Sequence, residues 1–99
     1  MHEYKIVTTK DGSNTVYDNE TGEHFHSIYG AFEESRHIFI ENGLLQCKAK
    51  SSINILEVGF GTGLNALLTI IDTEKNFNSV NYVAVEPYPL PDSIYLNLN

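Results

Sequence analysis

Hydrophobic and polar positions change their period near the middle of the chain. Up to about residue 29 they come in short runs broken by turn residues. "YKIVTT" (4–9) and "TVYD" (15–18) are rich in β-formers, "KDGS" (10–13) and "NETG" (19–22) are turns, and "EHFHS" (23–27) reads as a third short strand. The spacing predicts a β-hairpin or a three-stranded meander, which needs a surface to pack on because a hairpin alone is marginal in water. "GAFEESRHIFIENGL" (30–44) then reads as one helix. Its expected inward stripe is Phe32, Ser35, Ile38 or Phe39, and Asn42, and Asn42-Gly43 is a C-terminal stop. "LQCKAKSS" (45–52) reads as a polar linker.

From residue 53 the pattern is different. "INILEV" (53–58) is a continuous β-branched and leucine run, as in a strand covered on both faces of a parallel sheet. "LNALLTIIDTEKN" (64–76) predicts a helix, and "SVNYVAVE" (79–86) a second buried strand. This is β-loop-α-β, one unit of a doubly wound sheet. "PYPLPDSIYLNLN" (87–99) begins with prolines and turns into a helix start, with Pro91 at the first turn and Asp92 suited to the helix dipole. The expected fold class is α/β: an N-terminal hairpin plus helix (1–50) leading into the first βαβ unit of a truncated Rossmann-like sheet (51–99). Two parallel strands leave edges and an apolar face uncovered. The expectation is therefore the N-terminal piece of a longer protein, or a chain that self-associates through its exposed strand edges.

Length and composition narrow the class without changing that picture. Ninety-nine residues, 41% hydrophobic and 19% charged, make one small globular unit at most. No apolar run approaches the roughly 18 residues of a membrane-spanning helix, and the first residues hold no apolar signal core, so no membrane partner and a cytoplasmic location are expected. A net charge of −7 with only 6 Lys and Arg is the reverse of a phosphate-tracking surface, so any basic patch would come from elsewhere. Cys47 is the single cysteine, which excludes an internal disulfide and a thiolate cluster and reads as an inert thiol. His24 and His26 alternate, so a strand would put them on one face; with no third ligand nearby, no metal site is expected. His37 reads as packing or partly exposed. Asp11, Gly12 and Ser13 read either as a plain turn or as ligand-facing.

The chemistry concentrates in "LEVGFGTGLN" (56–65). A nucleotide-type loop needs a strand end, a turn free of side chains and a helix N-terminus aimed at the ligand. Gly59, Gly61 and Gly63 supply these between Val58 and Leu64. The dinucleotide fingerprint is G-x-G-x-x-G; here the spacing is G-x-G-x-G, and Glu57 stands two residues before the first glycine. A carboxylate there repels a pyrophosphate and attracts an ammonium group. Glu86, at the end of the next strand, can accept from both hydroxyls of an adenosine ribose, whether of NAD or of S-adenosylmethionine.

"LEVGFGTG" resembles motif I of class I S-adenosylmethionine-dependent methyltransferases. The flanking motifs narrow the resemblance: D-G-S-x-T at Asp11 to Thr15, G-E-x-[FY]-H-S at Gly22 to Ser27, G-A-x-x-E-S-x-H-x-F-I at Gly30 to Ile40 and L-E-x-G-F-G-T-G-x-N at Leu56 to Asn65. Together they resemble the methyltransferase of the MnmC/MnmD family, which finishes 5-methylaminomethyl-2-thiouridine at the wobble position of certain transfer RNAs. The resemblance implies S-adenosylmethionine bound by Glu57, Gly59, Phe60, Gly61, Thr62, Gly63, Asn65 and Glu86, with His26 near the donor pocket. It implies tRNA as the substrate of the full-length protein, no metal, and a flavin only where the methyltransferase is fused to an oxidoreductase. No position corresponds to the family's acidic motif after the fourth sheet strand, so the catalytic residue is unassigned and the 99 residues alone are expected to be inactive. The alternatives are a non-catalytic adenosyl-binding fragment, a spermidine-synthase-like aminopropyltransferase and, disfavoured by the glycine spacing, an NAD-binding oxidoreductase.

Overall fold

The computed structural model describes residues 3–47, 51–77 and 79–99. The β-rich first part folds as an antiparallel meander of β1 (Tyr4–Thr8), β2 (Asn14–Asp18) and β3 (Glu23–His24). Ile6 pairs with Val16 and Val7 with Thr15 in the register of the first pair. The third strand is two residues long, not the five expected over 23–27. The Phe25 amide still donates to the Val16 carbonyl at 2.8 Å, but the His26 amide turns to the Thr15 hydroxyl at 2.9 Å. A side chain has taken the place of the next ladder bond, and pairing stops.

The turn between β1 and β2 does more than reverse the chain. Helix α1 (Ala31–Ser35) is only five residues long, and its first-turn amides need partners. They find them on the turn: Ala31 donates to the Thr9 hydroxyl (3.2 Å), Phe32 to the Ser13 hydroxyl (2.9 Å) and Glu33 to the Asp11 carboxylate (3.0 Å). The other Asp11 oxygen accepts from Thr9 and from the amide and hydroxyl of Ser13. Gly30 permits this approach, since a Cβ there would lie 2.6 Å from an Asp11 oxygen. Between the two readings of Asp11 to Ser13, the structure favours the structural one: a long-range helix cap.

The helix expected to run through 30–44 is three pieces. After α1 comes a π-helical turn, Arg36–Glu41, and then a 3₁₀ turn, Leu44–Cys47. The buried positions are Ala31, Ser35, Ile40 and Leu44, whereas Phe32, Ile38 and Phe39 are 41%, 50% and 48% exposed. Of the expected stripe, only Ser35 faces inward. The wider turn is the cause: the Asn42 amide bonds the His37 carbonyl, five residues back, at 3.2 Å. One extra residue per turn rotates Ile40, in place of Phe39, onto the core. Leu45 and Cys47 of the supposed polar linker also pack on that core, while residues 48–50 lie outside the described residues.

In the second half, β4 (Ser52–Val58) and β5 (Ser79–Val85) pair in parallel and are joined by α2 (Leu64–Asn76). Ile53, Ile55 and Val80 pack against Leu68, Ile40, Leu44 and Phe77. The other face of this sheet is open among the described residues: Leu56, Val58 and Val83 are 69%, 80% and 58% exposed. Burial on both faces, as the apolar runs suggested, is therefore corrected to burial on one. The two halves are fastened by an ion pair, Arg36 Nη1 to Asp72 Oδ2 at 2.6 Å, with Asp72 buried. Helix α3 (Asp92–Tyr95) follows Pro91 as expected, and Asn99 beyond it bonds the Asn14 amide (2.9 Å) and the Gly12 carbonyl (2.8 Å).

Burial works against the Asp11 charge, but the bonds from Ser13, the Glu33 amide and Thr9 outweigh it and hold the carboxyl well below the usual carboxylate range. Because the folded value lies below the unfolded one, the contribution is present above about pH 4 and is lost as pH falls below it. Asp11→Ala is expected to lower stability in urea unfolding by about 1–2 kcal/mol at pH 7, the range of a lost helix cap, with the difference from the parent chain shrinking below pH 4. An unchanged midpoint at pH 7 would refute the capping role.

Candidate functional site

The glycine loop leaves β4 and enters α2 with three residues in left-handed backbone: Gly59 at φ +85°, Gly61 at +58° and Gly63 at +83°. Side chains also crowd two of them. A Cβ on Gly63 would lie 2.8 Å from the Phe60 ring, and one on Gly61 would lie 3.3 Å from the Phe25 ring, which comes from the meander. All three glycine amides are engaged within the protein. Gly59 donates to the Val85 carbonyl (2.8 Å), Gly61 to Glu86 Oε1 (3.0 Å) and Gly63 to the Phe60 carbonyl (3.1 Å). Tyr95 of α3 donates its hydroxyl to the Gly61 carbonyl at 2.9 Å and braces the loop from behind.

Glu57, at the end of β4, is held by its neighbours. Its Oε2 accepts from Asn65 Nδ2 at 3.2 Å. Burial, then a hydrogen bond to Glu57 and the charge of that carboxylate, push the Tyr82 hydroxyl well above its ordinary value. Three buried polar atoms around the loop have no hydrogen-bond partner among the described residues: Glu57 Oε1, Thr62 Oγ1 and Asn65 Oδ1. Unsatisfied buried acceptors gathered in one place are a binding-site feature, because each carries a desolvation cost that a bound donor would relieve. Glu86 accepts from the Gly61 amide on one oxygen and the Tyr88 amide on the other (3.3 Å). A carboxylate has about four acceptor positions, so it retains capacity on both.

A cavity of about 840 Å³ runs along β4 and the loop. Glu57, Gly59, Phe60, Gly61, Asn65 and Glu86 line it, and so does His26 from the other half of the chain. Thr62 and Gly63 belong to the loop but do not line the cavity; Gly63 serves as the N-cap of α2. His26 and His24 do not share a strand face, since β3 ends at His24, which packs at a 5.0 Å centroid distance on Tyr17. His37 is exposed, as one of its readings had it, and Cys47 is half-buried in the cavity wall. Among the described residues no three His, Cys, Asp or Glu gather to hold a metal ion, and no helix is long and apolar enough to cross a membrane.

Sequence reading missed Tyr82, Glu34 and Phe25, all lining the cavity. Tyr82 had a signal: it stands at even spacing before Ala84 and Glu86, so it shares their face of β5. Glu34 and Phe25 had none, because their approach depends on how the meander and α1 dock onto the loop.

Comparison with known proteins gives a consistent set of relatives, although no protein-family model matches. The chain is 40% identical over 63 residues to the tRNA 5-methylaminomethyl-2-thiouridine biosynthesis bifunctional protein MnmC of Magnetococcus marinus, a match covering 59% of this chain and 9% of that protein. It is 32% identical over 91 residues to the protein of the same name from Marinomonas sp., covering 82% and 12%. With the one from Burkholderia multivorans it shares 34% over 80 residues, covering 76% and 12%. A crystal structure of MnmC2 from Aquifex aeolicus matches at a TM-score of 0.74 and 32% identity, over 91% of this chain and 31% of that one. The chain spans about a tenth of the length of the curated relatives it matches.

The loop geometry predicts an order of damage. Gly59→Ala meets nothing within 4 Å and should cost only the left-handed backbone penalty, about 1–2 kcal/mol. Gly63→Ala adds a 2.8 Å approach to the far end of the Phe60 ring, which must swing aside, and should cost more than Gly59→Ala. Denaturant midpoints of the two variants compare them directly, and equal losses would refute the role given to Phe60.

Proposed function

Over the greater part of its length this chain is related to the MnmC family, and from that premise we propose that it carries the S-adenosylmethionine-binding part of a tRNA-modifying methyltransferase. The relatives' names supply the tRNA side: biosynthesis of 5-methylaminomethyl-2-thiouridine. On this reading residues 51–99 begin a Rossmann-like donor domain, and the donor, when bound, supplies a sulfonium methyl group.

The observation that carries the choice of ligand is the Glu57 carboxylate standing beside the glycine loop. A pyrophosphate is held by bare backbone amides at a helix N-terminus. Here the amides of Gly59, Gly61 and Gly63 already have protein acceptors, and the side chain beside them is the Glu57 carboxylate. That arrangement opposes a phosphate and suits an ammonium. The unpartnered Glu57 Oε1 and Asn65 Oδ1, both of residues lining the cavity, match a ligand that brings N–H and O–H donors. Glu86 retains acceptor capacity for the two ribose hydroxyls, and the cavity of about 840 Å³ is of the size that takes a cofactor. With a net charge of −7, the surface that follows the tRNA phosphates is supplied from outside these residues.

A dinucleotide reading, NAD or flavin, shares the Glu86 contact and makes the opposite prediction. Calorimetric titration of the chain with S-adenosylhomocysteine, NAD and FAD separates them. S-adenosylhomocysteine is expected to bind, and Glu57→Gln is expected to weaken it by about tenfold or more, the loss of a charge-assisted hydrogen bond of about 1.5–3 kcal/mol. Tighter binding of NAD or FAD, or indifference to the Glu57 substitution, would overturn the proposal.

A further inference from the structure

The register of the parallel strand pair brings an unassigned side chain to the Glu57 carboxylate. Glu57 stands opposite Ala84, and Tyr82 opposite Ile55. Alanine is too short to reach across, so the groups that meet Glu57 from β5 are its diagonal neighbours on that face. These are Tyr82 on one side and Glu86, just past the strand, on the other. Resting on the donor-binding reading above, we propose that Tyr82 is a positioning residue, which with Asn65 holds Glu57 so that its Oε1 stands free for the ammonium end of the ligand.

Tyr82, Glu57 and Asn65 all line the one cavity, from β5, β4 and the first turn of α2. The Tyr82 hydroxyl donates to the Glu57 carboxylate from β5. From α2, Asn65 Nδ2 donates to Glu57 Oε2 at 3.2 Å. A carboxylate only accepts, so the Asn65 amide must turn its NH₂ to Glu57 and its oxygen away. That orientation accounts for Asn65 Oδ1, which with Glu57 Oε1 makes two buried acceptors without a partner among the described residues. Glu86 does not compete for these donors, since it accepts from the Gly61 and Tyr88 amides.

A glutamate side chain left to itself samples several rotamers and spreads its charge over as many directions. Two donors on one carboxylate remove that freedom before a ligand arrives, which lowers the ordering cost of binding. The two bare acceptors then call for a group with positive charge and at least two N–H donors, one for Glu57 Oε1 and one for Asn65 Oδ1. A primary ammonium has three such donors, and a phosphate has none. Tyr82 therefore acts on the amino-acid end of the ligand alone, and the nucleoside end is left to Glu86.

The test compares two ligands on the whole chain by calorimetry. S-adenosylhomocysteine carries the ammonium, whereas 5′-methylthioadenosine keeps the nucleoside and the thioether but has no amino-acid part. The parent chain is expected to bind S-adenosylhomocysteine the more tightly. Tyr82→Phe keeps the ring and removes the hydroxyl; it should weaken S-adenosylhomocysteine about fivefold, in the range of one hydrogen bond, and leave 5′-methylthioadenosine unchanged. On a Glu57→Gln background the same substitution should add no further loss, because the charge it positions is gone. An equal loss for both ligands, no loss for either, or full additivity with Glu57→Gln would sink this inference alone and leave the donor reading standing. A parent chain that binds neither ligand, or that does not prefer S-adenosylhomocysteine, would sink the donor reading and this inference with it.

Discussion

The hydrogen bond from the Glu33 amide to the Asp11 carboxylate fixes where the first helix begins, and much of the molecule follows from that point. A five-residue helix is too short to persist on propensity alone, so α1 exists where the meander caps it. Its direction then sets the start of the π-helical turn, which delivers Ile40 to the core and Arg36 to Asp72. That ion pair, the Phe25 ring against Gly61 and the packing of Ile40 and Leu44 on Leu68 and Phe77 join the N-terminal half to the βαβ unit. The cap is therefore also a constraint on the cavity, whose far wall consists of residues from these same elements.

The glycine loop is shaped by groups from four directions. Val85 and Glu86 reach it from the neighbouring strand, Phe25 from the meander and Tyr95 from the last helix. Each contact is modest on its own, but together they select one path for the backbone, and glycine is the residue that can follow it at positive φ. A carboxylate at the strand end then gives the pocket its electrical sign. The loop and the acid are separable features, one set by backbone path and the other by a single side chain at the strand end.

Much of this was legible in the sequence, and the rest was not for identifiable reasons. Strong period changes located β4, α2 and β5 to within a residue, because a continuous apolar run and a glycine cluster are local signals. The places of Glu57 and Glu86 on the cavity wall were legible because a strand end fixes where its last side chain lies. The stripe on the first helix failed because a π turn breaks the 3.6-residue period without any glycine or proline to announce it. The strands were read as covered on both faces because an apolar run reports what a residue prefers, not which layer lies over it; Leu56 and Val83 remain open here. The cap made by Asp11 joins positions 22 residues apart, and pairwise tertiary contacts of that kind leave no periodic trace.

The engagement of the three glycine amides within the protein has a consequence for the freedom of the loop. A glycine-rich segment normally has a wide conformational repertoire, and a ligand that must still it loses affinity to the entropy of ordering. Here the strand, the meander and α3 have already narrowed that repertoire, so the ordering of the loop belongs to folding.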